Sequence, residues 1–176
     1  MPATTSVSTQ NMTSQSISGE RVSLLRRAFS TSDQWSGTLA RSALAVVMFP
    51  HGAQKVLGWF GGYGFSGTLG FFTHKMGLPA PLAVSVMLIE LLAPIFLVVG
   101  FATRFAALGI AAVMLGAIAT VHAPFGFFMN WSGTQGGEGF EYHLLVLGLV
   151  AVLLAQGGGR FSLDRLVVGD RLSRND

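Results

Sequence analysis

The chain has 176 residues, 51% of them hydrophobic and 11% charged, with 23 glycines and no cysteine; its mean hydropathy is +0.56. Soluble domains usually carry about 25% charged residues, so this composition predicts an integral membrane protein, and the length suits one domain of a few spans at ~20 apolar residues each. Without cysteine there are no disulfides, thiolate nucleophiles, iron–sulfur clusters or Cys-ligated zinc, and a net charge of +3 in so apolar a chain reads as a topology signal rather than as affinity for nucleic acid.

Residues 1–18 hold nine Ser or Thr and no charge, too little apolar surface to offset the entropy of ordering, so 1–37 is expected to be a disordered tail. It lacks the basic start and apolar run of a signal peptide, and cleavage is not expected. Its last part, a basic juxtamembrane segment with Arg21, Arg26 and Arg27, suits either an anionic membrane surface or a solvated linker.

Four hydrophobic stretches fill 38–158, at about 38–60, 80–101, 105–121 and 140–158. At ~1.5 Å per residue each covers roughly the ~30 Å hydrocarbon core. Backbone groups in lipid must be satisfied internally, and the two-residue alternation of a membrane barrel is absent, so the stretches are helices. The expected fold is all-α, a four-helix transmembrane bundle, followed by a tail at 159–176. Small residues at four-residue spacing, Ala112, Gly116 and Thr120, suggest a close-packing seam on the third helix.

Orientation follows from the basic residues. Arg21, Arg26, Arg27, Arg41, Arg104, Arg160, Arg165, Arg171 and Arg174 fall on one side of a four-span topology, and Lys55 and Lys75 on the other. The positive-inside rule places both termini in the cytoplasm. The connections at 61–79 and 123–139 are then external. The segment Gly58–Phe72 has six glycines and six aromatics, and Phe125–Phe140 is similar, as interfacial anchors or as the roof of a pocket.

Ionisable groups inside spans are costly and face the bundle interior or one another. His51 and Lys55, at i and i+4, share a face of the first helix. Pro50 removes a hydrogen bond and Gly52 admits a close neighbour, so a bend there would aim both side chains inward. Glu90 lies near the midplane of the second helix, His122 near the outer end of the third, and Glu138, Glu141 and His143 at the outer start of the fourth. An outward-facing polar pocket is therefore expected, with Lys55 paired to Glu90 or Glu141, or else snorkelling to the interface. His51, His122 and either His143 or Glu141 provide metal- or haem-ligand types, but no local ligand spacing supports such a site. Hydrogen-bonded histidines at helix ends are the simpler reading.

The segments "HGAQKVLGWFGGYG", "GLPAP", "IELLAPIFLVVGFATRFAAL" and "FEYHLLVLGLVAVLLAQGGGRFSLD", in this order and spacing, closely resemble the DoxX family of small bacterial four-helix membrane proteins. The resemblance spans about Arg41 to Asp164. It places the family pattern on Gly52, Lys55, Glu90, Gly100, Arg104, His122, Glu141, Ser162 and Asp164; Gly157, Gly158 and Gly159 stand where many relatives have Gly-Pro-Gly. It implies a multi-pass protein of the bacterial inner membrane, in the lipid bilayer with protein partners in a redox or oxidant-detoxification assembly, and a quinone as the cofactor to expect. A homo-oligomer is compatible. A non-catalytic membrane scaffold, or a transporter or binding protein for a small anion with Lys55 as counter-charge, are the alternatives.

Overall fold

The computed structural model describes residues 30–31 and 34–172, with backbone alone for 168–172. Of the tail expected at 1–37, residues 1–29 and 32–33 lie outside the described residues. Among those described, the chain is all-helical without strands. Helix α1 spans Trp35–Val56, α2 Gly64–Gly70, α3 Ala80–Val99, α4 Thr103–Ala117, α5 Glu141–Gln156 and α6 Leu163–Leu172. Two helical stretches, Ala80–Val99 and Thr103–Phe125, are long and apolar enough to cross a membrane, while Glu141–Gln156 is apolar but shorter.

The four longest helices pack in a cycle: α1 on α3, α3 on α4, α4 on α5 and α5 back on α1. Their shared core is lined by Leu44, Met48, Leu97, Ile110, Val150 and Leu153, with alanines between. Large apolar side chains also point away from that core: Val46, Leu92, Val98, Leu108, Leu115 and Leu145 are exposed, while Arg41, Glu90, Thr103, His143 and Asp164 are buried. Apolar exposure on this scale marks an interaction surface. Ala112, Gly116 and Thr120 face outward too, so they form no seam within the described chain, and Thr120 Oγ1 instead donates to the Gly116 carbonyl at 2.8 Å.

Helix α1 runs through Pro50 without a break. The next turn carries Gly52, which packs on the α3 backbone: a Cβ there would collide with the carbonyl group of Glu90 and with Leu91 Cα. Glycine thus sets the closest α1–α3 approach at the level of the acidic residue. Between α1 and α3 the connection consists of a 3-10 turn at Trp59–Gly61, α2 and a π-helical turn at Phe71–Lys75. A second π-helical turn, Ile118–His122, ends α4.

At the opposite end, charged side chains close helix termini. Arg41, 4% exposed, donates to the carbonyls of Leu97 at 2.8 Å, Val98 at 2.6 Å, Gly158 at 2.8 Å and Phe161 at 2.6 Å. Arg104 donates to the α5 carbonyls of Leu154 at 2.9 Å and Ala155 at 3.2 Å. Each guanidinium satisfies carbonyls that the last turn of a helix leaves unpaired. Asp164 does the converse for α4, accepting from Ala102 N at 2.6 Å and Thr103 N at 2.9 Å. Gly100, at φ 67°, brings the α3–α4 turn against Ser162, too close for any Cβ, and the Ser162 hydroxyl donates to the Gly159 carbonyl at 2.9 Å.

Candidate functional site

The polar residues of the other end come from three helices and one π-helical turn. On α1 the i, i+4 spacing puts His51 and Lys55 on one face. Lys55 forms an ion pair with Glu90 of α3; the Lys55 side chain is 26% exposed and that of Glu90 8%. Among the described residues no other donor reaches Glu90 Oε2. An unpaired charge is costly to bury, and the Gly52 contact brings the Glu90 backbone within reach of the Lys55 stem.

His51 joins this pair electrostatically, interacting with both Lys55 and Glu90. Its ring centre is 6.3 Å from that of Tyr142 at the start of α5. The Tyr142 ring is 5.6 Å from that of His143, and the His143 ring is 4.1 Å from that of His122. A continuous row of rings, His51, Tyr142, His143, His122, therefore runs from the ion pair to the end of α4. His122 Nδ1 is 2.8 Å from the Glu138 carbonyl; because that oxygen only accepts, Nδ1 carries the proton. In a neutral ring Nε2 is then free to accept.

Glu141 opens α5 but turns toward the connection before it. Its Oε1 accepts from Met129 N at 2.9 Å and from Trp131 Nε1 at 3.2 Å. Glu138 acts similarly, its Oε2 accepting from Asn130 N at 2.6 Å. These carboxylates fold the 126–141 segment, whose Phe128 and Trp131 remain exposed.

Of the residues singled out in the sequence, His51, Lys55, Glu90 and His122 thus fall within one group, and Glu141 lies at its edge, engaged by the loop. Gly52 shapes the contact beneath, and Pro50 lies one residue before His51. Gly100, Arg104, Ser162 and Asp164 stand at the opposite end, in the helix-terminus network. His143, read in the sequence at the outer start of the fourth stretch, and Tyr142 belong in the ring row; Tyr142 was not singled out, and only the helical phase after Glu141 could have pointed to it. Among the described residues, no group of three or more His, Asp or Glu is placed to hold a metal ion.

A family model described as DoxX matches residues 37–123. The chain is similar to the Bacillus subtilis (strain 168) protein named "Putative oxidoreductase CatD", 33% identical over 140 residues that cover 78% of this chain and 90% of that protein. No solved structure matches.

Proposed function

Because the chain belongs to the DoxX family, we propose that it is a multi-pass inner-membrane component of a quinone-linked redox or oxidant-detoxification assembly. In this reading α1, α3, α4 and α5 form a four-helix transmembrane bundle with both termini in the cytoplasm and the ion pair toward the outside. Support comes from the apolar outward surface, from two helical stretches of spanning length, and from arginines gathered at one end while Lys55 lies at the other. The relative named as an oxidoreductase supports the redox association.

The observation that carries the proposal is the ion pair of Lys55 with the buried Glu90 beside a row of imidazole and phenol rings. Flat apolar walls with a few convergent polar groups suit a ring ligand, and the donor types fit a quinone head group. His51 or His122 would hydrogen-bond a ring oxygen, and Glu90, paired with Lys55, would exchange protons with it. Glu141 would act through the loop it orders. When bound, the quinone supplies the two-electron chemistry that a chain without cysteine does not.

The test is quinone-linked oxygen uptake by membrane vesicles from cells making Glu90→Gln at wild-type abundance. We expect the activity contributed by the protein to vanish while insertion is unchanged. Uptake equal to wild type would contradict the proposal.

A further inference from the structure

Two polar groups in the ring row are poorly served by the protein itself. His143 is 5% exposed, and its Nδ1 is buried with no hydrogen-bond partner among the described residues. Folded proteins rarely leave such an atom unpaired, because its lost hydration is not repaid. The adjacent Tyr142 hydroxyl donates to Met48 Sδ at 3.7 Å, and a thioether is a weak acceptor. Elsewhere in the cluster Lys55 is engaged with Glu90, and His122 Nδ1 with the Glu138 carbonyl.

We propose that His143 and Tyr142 are the residues that hold the ring ligand. His143 Nδ1 bonds one ring oxygen, and the Tyr142 hydroxyl turns from the Met48 sulfur to the same ligand. The inference rests on the proposed function for its ligand class and adds the residues that grip it. A neutral imidazole gives or takes a hydrogen bond and a phenol gives one, so an aromatic ring bearing carbonyl or hydroxyl oxygen matches both. Rings of His122 and His51 flank the two residues at 4.1 and 6.3 Å. A small inorganic anion fits less well, because the Lys55 ammonium it would seek is already paired with Glu90.

Full-length protein in nanodiscs, titrated calorimetrically with menadione, tests this. His143→Leu is expected to weaken binding by about tenfold or more, the equivalent of one buried hydrogen bond. His143→Asn, whose amide takes the place of Nδ1, should stay within about threefold of wild type, and Tyr142→Phe should weaken binding without lowering thermal stability. In wild-type protein carrying 15N-labelled histidine, the His143 Nδ1 resonance should shift on adding menadione. That signal decides the matter alone if His143→Leu does not fold. Binding to wild type that both variants retain, or an unmoved His143 signal at saturation, overturns this inference and leaves the proposed function standing. No binding to wild type overturns both.

Discussion

Lys55 and Glu90 form an ion pair in which the carboxylate is largely buried. Removing one partner of a buried pair costs about 3–5 kcal/mol; with the Lys55 side chain 26% exposed, Lys55→Met should fall at or below the lower end of that range. Replacing both, Lys55→Met with Glu90→Leu, should recover most of the loss, as thermal unfolding in detergent will show; a double variant as unstable as the sum of the singles would mean that the two do not act as a pair. The sequence left Lys55 three solutions, pairing with Glu90, pairing with Glu141 or snorkelling to the interface, and only packing selects Glu90. The roles of Tyr142 and His143 were not legible, since an aromatic and a histidine in the first turn of a span look the same whether they anchor the interface or line the interior. One residue of helical phase, about 100°, separates Glu141 facing the loop from Tyr142 facing His51.

Helix ends account for much of the remaining order. Arg41 and Arg104 bind the carbonyl ends of α3 and α5, and Asp164 binds the amide end of α4. Arg41→Leu would leave four carbonyls to find new partners and is expected to destabilise by about 3 kcal/mol or more, whereas Asp164→Ala should cost about 1–2 kcal/mol, as the loss of a helix cap does. Equal effects in urea-dependent unfolding would contradict this division. The sequence places Arg41 and Arg104 among basic topology signals, and only packing shows that Arg41 lies inside. At the other end, Gly52→Ala should force α1 from α3 and cost about 1–3 kcal/mol by overpacking, with a parallel weakening of the Lys55–Glu90 contact. The π-helical turn carrying His122 has no sequence signature; such turns gather at functional sites, and this one holds His122 beside His143.

For the whole molecule, hydropathy made the helical character and approximate limits legible: stretches read at 80–101 and 105–121 became helices at Ala80–Val99 and Thr103–Ala117. The cyclic packing order was not legible, because four apolar helices admit several arrangements, and the Gly52 contact helps to select this one. Orientation rests on charge and can be tested directly, since the chain has no native cysteine. Ser132→Cys should react with an impermeant maleimide in intact cells, and Ser173→Cys only after permeabilisation; the reverse pattern would invert the proposed topology. The central claim, that the polar cluster holds a quinone, is tested most directly by purifying wild-type and Glu90→Gln protein in mild detergent and quantifying co-extracted quinone. Near-stoichiometric quinone is expected with wild type, and its loss with Glu90→Gln protein that remains folded. Quinone absent from both, or equal in both, would contradict that claim.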